Sequence, residues 1–450
     1  MKFNSIILGF GKAGKTLAAE LAKRGQTVAL VEQSPAMYGG TCINVGCIPS
    51  KSLINSAAEA ALHSSDSFEE KAARYAAAIE EKRRVTGLLR GKNYDKLSGL
   101  SGVTIFDGVG RFRSATEVEV LSPNGSVELL EGERIFINTG STPFLPPIPG
   151  LAGNPSVYTS ETLMDEPTLP RRLVLIGAGY IGMEFASLYS NFGTEVTVLQ
   201  DGGLFLPKED RDVADEIRAI QERRGVRFKL NVHVERLDEG SVVFTENGEE
   251  QSIKADVILV ATGRKPNTEA LQAEKAGIAL TARGAVQTDE QLRTTAPNIW
   301  AMGDVNGGAQ FTFISLDDSR IVLSQLLGGD RSREARKNVP YSVFMDTPLG
   351  RVGLTEQEAR ELGLPIRVIK LPTAAVPKAQ VLKKADGFLK AVIHAETGKI
   401  LGAALLCPEA HELINTVKLA MDLDADAAEL SDRIYTHPTM TEAFNDLFAL

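Results

Sequence analysis

Short apolar runs that break on glycine recur along the chain. Ser5-Ile6-Ile7-Leu8 leads into Gly9-Phe10-Gly11-Lys12-Ala13-Gly14, Leu17 and Leu21 follow at helical spacing, and Thr27-Val28-Ala29-Leu30-Val31 ends at Glu32. The pattern predicts a strand, a glycine turn, a helix and a second strand. It returns as Leu173-Val174-Leu175-Ile176, then Gly177-Ala178-Gly179-Tyr180-Ile181-Gly182, a helix, and Glu195-Val196-Thr197-Val198-Leu199 ending at Gln200. Three further apolar segments end in Thr139-Gly140, Thr262-Gly263 and Gly303-Asp304. Strands alternating with helices predict the α/β class, with two Rossmann-like dinucleotide-binding domains.

The turns carry their own chemistry. Gly9, Gly11 and Gly14 permit a tight turn and let a pyrophosphate reach a helix N-terminus, whose free N–H groups attract anions. Glu32 stands 23 positions after Gly9, where a carboxylate accepts hydrogen bonds from ribose hydroxyls. One such glycine motif is weak by itself; the strand, helix and acid around it make it specific. Gly177, Gly179, Gly182 and Gln200 repeat the design, against the bland possibility of a duplicate that binds nothing. Two motifs imply two dinucleotides, most simply a bound FAD and an exchangeable nicotinamide cofactor. Residues 200–207 hold no Arg or Lys to grip a 2′-phosphate and include Asp201. That favours NADH over NADPH. Asp304, just past a strand at a glycine turn, is placed to accept from the flavin's ribityl hydroxyls; a solvated turn aspartate is the rival reading.

The reactive segment is Gly39-Gly40-Thr41-Cys42-Ile43-Asn44-Val45-Gly46-Cys47-Ile48-Pro49-Ser50-Lys51, ahead of a helical stretch with Ala57, Ala58, Ala60 and Ala61. A helix N-terminus lowers a thiol's pKa, and the thiolate is the nucleophile. Five helical steps rise about 7.5 Å, past the roughly 4.4–6.8 Å Cα span of a disulfide. Ideal helix would hold the sulfurs apart, so Gly46 and Pro49 predict a distorted first turn that brings them together. Structural zinc would require more ligands, and Cys407 with five scattered histidines shows no such spacing. A regulatory thiol pair and two inert buried thiols also compete with catalytic redox use. Cys407, in an apolar strand-like run, reads as a core thiol. Near the C-terminus, His437 is a candidate general acid–base because histidine titrates near neutral pH, and Glu442 could orient its ring. The ordinary readings are a structural histidine and a first-turn helix carboxylate.

Composition narrows the partners. The chain has 450 residues, 43% hydrophobic and 24% charged, with a net charge of −9. That length implies several domains. The acidic balance argues against nucleic acid, since Lys82-Arg83-Arg84 is merely a short basic cluster. No apolar stretch approaches the roughly 20 residues of a membrane span. The brief run after Met1 reads as a strand and not a signal core. A cytoplasmic enzyme is expected.

These motifs together resemble the flavoprotein disulfide reductases, the family of dihydrolipoamide dehydrogenase, glutathione reductase and mercuric reductase, over essentially the whole length. Besides both glycine turns and the cysteine segment, the resemblance rests on Ala261-Thr262-Gly263-Arg264-Lys265-Pro266-Asn267, Met302-Gly303-Asp304, Val352-Gly353-Leu354-Thr355-Glu356 and His437-Pro438-Thr439-Met440-Thr441-Glu442. It implies an FAD domain in two pieces, 1–149 and 271–335, an inserted NAD(P) domain, 150–270, and a C-terminal α+β dimerisation domain, 336–450. It places Gly40, Thr41, Lys51, Thr139 and Gly140 beside FAD and Gly263 beside NAD(P). It implies a homodimer in which His437, with Glu442, completes the partner's active site. Cys47 would face the flavin, Cys42 would exchange with substrate, and Lys51 would sit by flavin N5 paired with Glu184. Hydride would pass from NADH to the flavin, and electrons onward through Cys47.

Within the family, Gly9 to Thr16, Ala36 to Gly40, Phe313 to Asp318 and Phe444 to Phe448 are similar to a bacterial group of reactive-chlorine-resistance flavoproteins. That similarity implies a metal-ion reductase, copper(II) being the favoured acceptor, with Cys42 and Cys47 as a transient metal site. No vicinal cysteine pair of the mercuric reductase kind precedes Leu450. Asp317 and Asp318 are expected to add negative charge at the flavin's pyrimidine edge. The rival readings are a small-disulfide reductase and, outside enzymes, a nucleotide-binding thiol redox sensor.

Overall fold

The computed structural model describes residues 1–63 and 65–449. Strands Lys2–Leu8 and Val28–Glu32 flank the helix Lys12–Ala22, and Arg172–Ile176 and Glu195–Gln200 flank Tyr180–Asn191. Both predicted repeats therefore fold as read. The first glycine of each turn has a positive φ, +107° at Gly9 and +108° at Gly177. A Cβ there would stand 2.2 Å from the Asn138 carbonyl oxygen or 2.6 Å from that of Ala261. Glycine is required because the end of the adjacent strand passes directly against the turn.

The first sheet runs in the order Val103–Asp107, Val28–Glu32, Lys2–Leu8, Val127–Ile137, Glu117–Leu121, Val109–Phe112. Its dinucleotide half is parallel and its far half antiparallel. Ile299–Ala301 also pairs in parallel with Ile135–Ile137. The chain thus returns to the first sheet after building the second. That second sheet is parallel throughout, in the order Arg227–Leu230, Glu195–Gln200, Arg172–Ile176, Val257–Val260, Val157–Thr159. Between the two, Ser141–Pro143 pairs antiparallel with Arg264–Pro266.

The third sheet is antiparallel: Tyr341–Val343, Leu349–Gly353, Ile400–Leu406, Phe388–His394, Ile366–Pro372. The helix Ala410–Asp422 covers it, and Cys407 is buried in its core. Burial pushes the Cys407 thiol well above its ordinary pKa, as expected of an inert core thiol. The whole is an α/β molecule with two nucleotide-type sheets and a C-terminal α+β unit.

The long helix Phe68–Ser98 opens on a capping box, in which Ser67 Oγ accepts from the Glu70 N–H and Glu70 accepts from the Ser67 N–H. It carries the basic cluster noted above. Lys82 is buried and paired with Asp165, Arg83 reaches Glu80, and Arg84 reaches Glu81. The cluster is locally neutralised, which removes any field it could offer nucleic acid. One core cluster joins this helix (Tyr75), the cysteine helix (Leu53, Ala57) and the Tyr180–Asn191 helix (Met183, Tyr189). Tyr75 and Tyr189 share a hydroxyl hydrogen bond of 2.8 Å. The cysteines and the second glycine turn are thereby fixed to one rigid block.

Candidate active site

The cysteine segment folds as two helical pieces. Thr41–Asn44 makes a single turn and Cys47–Ala60 starts afresh after a break at Val45 and Gly46. The expected distortion is present, but Pro49 plays no part in it. Pro49 lies in the first turn of the second helix, where its missing N–H costs nothing. Gly46 makes the break: with φ −131° and ψ −116°, a Cβ would stand 3.0 Å from the Thr41 carbonyl oxygen.

Both cysteines are free thiols. Their side chains hydrogen-bond to one another, and the pair is polarised. Cys47 is lowered below the ordinary thiol pKa, first by the hydrogen bond from Cys42, then by Thr312 and the charge of Lys51. Cys42 is raised, first by donating to Cys47 and then by burial. The Thr312 hydroxyl stands 3.6 Å from Cys47 Sγ. Thr312 is the first residue of the helix Thr312–Leu326, as Cys47 is of its own. Two helix N-termini therefore converge on one sulfur, and both favour the thiolate.

Lys51 follows Cys47 by one helical turn, on the same face. Its ammonium contacts the Glu184 carboxylate at 2.7 and 2.9 Å and lies 4.7 Å over the Phe344 ring. Glu184 also accepts the Phe344 N–H at 3.0 Å. Glu184, which sequence patterning alone marks as an ordinary helix residue, is the buried anchor of this lysine.

At the first glycine turn, Gly11 caps the helix with no side-chain bond. Gly40 approaches so closely that a Cβ there would lie 2.6 Å from Gly11 Cα. The result is a bare backbone cradle at a helix N-terminus, suited to a pyrophosphate. Glu32 is buried and accepts the Phe10 N–H at 3.0 Å, and burial raises its pKa. Gln200 copies the arrangement, accepting the Ala178 N–H at 2.8 Å beside Gly177, Gly179 and Gly182. Thr139 and Gly140 are bonded to Asn267, at 2.7 Å from the Thr139 hydroxyl to the Asn267 carbonyl and 2.9 Å from the Asn267 N–H to the Gly140 carbonyl. Asp304 accepts from the Ser141 hydroxyl at 2.7 Å. Gly263, with φ +129°, lies just before Arg264, which donates to Ser141 at 2.9 Å.

His437 stands apart. Its Nδ1 meets Glu442 at 2.6 Å, and Glu442 also accepts the Thr439 N–H at 3.1 Å. The imidazole is 68% exposed on the C-terminal unit, paired with Glu442 and not with a cysteine of its own chain. Among the described residues, no three His, Cys, Asp or Glu side chains gather as a metal site.

Two family models account for the chain: pyridine nucleotide-disulphide oxidoreductase over residues 3–321, and the dimerisation domain of that family over 339–448. The chain is a pyridine nucleotide-disulphide oxidoreductase. This oxidoreductase is 49% identical to RclA of Escherichia coli (strain K12), across 100% of its own length and 99% of RclA. It is 34% identical to dihydrolipoyl dehydrogenase of Bacillus subtilis, covering 98% of this chain and 94% of that one. A solved Cu(II) complex of the HOCl-induced flavoprotein disulfide reductase RclA from Escherichia coli superposes with a TM-score of 0.94 at 48% identity, covering 100% and 99% of the two chains.

Three features of the oxidoreductase's site lay outside the sequence reading. Thr312 is one. Asn138 is another: its buried amide accepts the Gly14 N–H at 2.9 Å and donates to the Met302 carbonyl at 2.7 Å, pinning two strand ends to the first helix. The third corrects the expectation for Asp317 and Asp318. Asp318 is wholly buried and accepts the Gly303 N–H at 2.6 Å, next to Asp304. Arg336 bridges both aspartates and Arg331 adds a second contact to Asp317. Their charge is matched by guanidinium and spent on shaping a turn, so no excess negative field faces a cofactor. No helix among the described residues is long and apolar enough to cross a membrane.

Proposed function

We propose that this oxidoreductase uses FAD and NADH to reduce a metal ion, Cu(II) foremost, through Cys42 and Cys47, as a cytoplasmic defence against reactive chlorine and related oxidants. The observation that carries the reading is the thiol pair at two converging helix N-termini, with the Thr312 hydroxyl 3.6 Å from Cys47 Sγ and Lys51 one turn beyond it. Soft thiolates also suit copper in its reduced state. The Escherichia coli relative is described as HOCl-induced, and its Cu(II) complexes include one of a cysteine-to-serine variant.

Residues 1–149 and 271–335 would hold FAD through the bare cradle of Gly9, Gly11, Gly14 and Gly40, with Glu32, Thr41, Lys51, Thr139, Gly140 and Asp304 around it. Gly177, Gly179, Gly182, Gln200 and Gly263, in residues 150–270, would hold the nicotinamide nucleotide. Bound FAD supplies two-electron acceptance from a nicotinamide and delivery to a disulfide. Cys47 remains a thiolate because the Cys42 thiol, Thr312 and Lys51 all favour its charge. Glu184 and Phe344 hold Lys51 in place. Cys42, still protonated, is the outer group that meets the acceptor. Two Cu(II) ions each gain one electron while the thiols close to a disulfide. One proton, that of the Cys42 thiol, leaves and is taken by His437 of a homodimer partner, with Glu442 steadying the imidazolium. Residues 336–450 would form the dimer contact.

A side-by-side acceptor panel tests this on the FAD-loaded dimer with NADH: Cu(II), lipoamide and oxidised glutathione. Copper should be reduced fastest, and replacing Cys42 or Cys47 by serine should abolish that turnover. Rapid lipoamide turnover with silent copper would overturn the reading.

A further inference from the structure

Two lysines stand where a helix repels cations. Lys12 opens the first helix and Lys15 follows within its first residues, with no acidic side chain in the first turn. The N-terminus of a helix is its positive end, so each ammonium costs stability unless an anion lies close. Lys15 is also half-buried, which raises that cost. Its ammonium donates to the Gly39 carbonyl at 3.1 Å. The charged groups that act on it are Lys12 of its own helix, Lys96 of the long helix, and Cys42. Among the described residues no carboxylate pairs with it. Burial, and then Lys12, push its pKa down to about 8, while Cys42 pulls the other way.

Gly39 ties this charge to the thiols. A Cβ on Gly39 would stand 2.8 Å from Ile43 Cδ1, so its backbone packs against the turn Thr41–Asn44 that carries Cys42. Asn44 fastens the same stretch, donating to the Tyr38 and Gly40 carbonyls at 3.0 Å each. The anchor of Lys15 and the backbone of Cys42 are thus parts of one fixed loop. Each sulfur has its own lysine: Lys51 acts on Cys47, and Lys15 on Cys42. Their settings differ. Lys51 is matched by the Glu184 carboxylate, whereas Lys15 is held by a neutral carbonyl and keeps its full charge for the sulfur.

We infer that Lys15 is a positioning residue that acts through Cys42, its ammonium stabilising the Cys42 thiolate as the reduced pair meets its acceptor. The inference rests on Cys42 as the outlet of the thiol pair, whatever the acceptor. With Cys47 already a thiolate, ionising Cys42 sets two negative charges side by side, which is unfavourable. The S–H bond of Cys42 breaks, its electron pair stays on sulfur, and the proton passes to the partner's His437. A cation held beside that sulfur offsets the second charge. The groups that face Cys42 are Cys47 on the cysteine helix, Thr312 on its own helix and Lys15 on the first helix. Among them Lys15 is the cation.

The test uses the FAD-loaded Cys47→Ser protein, in which Cys42 is the one accessible thiol because Cys407 is buried. The rate of iodoacetamide alkylation at Cys42 is followed against pH by peptide mapping. Adding Lys15→Met should raise the midpoint by about 0.5 to 1 unit and slow alkylation near neutral pH by about 3- to 10-fold. Lys15→Arg, which keeps the charge, should hold both values near those of Cys47→Ser. Lys15→Gln repeats the comparison should Lys15→Met fail to fold. With both cysteines present, Lys15→Met should move the pH profile of acceptor turnover upward in the same sense. An unmoved midpoint in the uncharged variants, or an equal shift in Lys15→Arg, would overturn the inference. So would loss of FAD with Cys42 reactivity unchanged, which would make Lys15 a cofactor ligand. Silent copper in the wild type would instead overturn the proposed function, and alkylation would still judge Lys15.

Discussion

Cys47 Sγ lies where the dipoles of two helices, a neighbouring thiol, a hydroxyl and an ammonium all act on one atom. Burial and the Glu184 carboxylate oppose them. Because these forces favour the charged form, the folded pKa of Cys47 is depressed, and thiolate persists to lower pH than for a free cysteine. The Thr312 contribution can be removed alone. Thr312→Val should raise the pH at which the long-wavelength thiolate–flavin band of the two-electron-reduced enzyme appears, by about 0.5 to 1 unit, the scale of one lost hydrogen bond to a charged group. A pH titration of that band decides it: no upward shift would mean that Thr312 does not hold the thiolate. Cys47→Ser should eliminate the band at every pH. The 265 residues separating Thr312 from Cys47 explain why no local reading of the sequence could pair them.

Among the elements, the strand–glycine–helix units were legible because local backbone dictates them. A positive φ demands glycine, a strand end demands an acceptor for the turn's N–H, and both leave marks within 25 or so residues. Glu32 and Gln200 show the rule twice, bonded to Phe10 and Ala178 in the same place. What stayed hidden was the joining of elements. Asn138 and the Arg336 partner of Asp317 and Asp318 are ordinary polar residues until the chain returns to them. Thus the two aspartates read as surplus charge, although their counter-ion lies 18 positions further along the chain from Asp318. Asn138 provides a measurable case. Asn138→Ala strands the Gly14 N–H of the first helix and the Met302 carbonyl at a strand end, and should cost about 2–4 kcal/mol of stability. Denaturant unfolding of the FAD-free protein would measure it, and a loss under about 0.5 kcal/mol would mean that water replaces the amide.

The whole molecule poses the question of where His437 acts. Its unit matches a dimerisation domain, and among the described residues of its own chain its ring is bonded to Glu442 alone. Ile434, three residues earlier, is fully exposed, as are large parts of Leu419 and Leu423. Apolar side chains of this size on one unit are a surface that gains by being covered. In a twofold dimer each contact is made twice, so a histidine serving the other subunit's thiols yields two shared sites. The consequence can be measured by mixing. Cys42→Ser and His437→Ala homodimers should each be nearly inactive with the preferred acceptor. Subunit exchange at equal amounts makes half the dimers mixed, and every mixed dimer carries one site with both thiols and a histidine, so activity should recover to about a quarter of wild type. Were His437 to serve the cysteines of its own chain, no mixture would contain a complete site, and activity would remain at the level of the two parents.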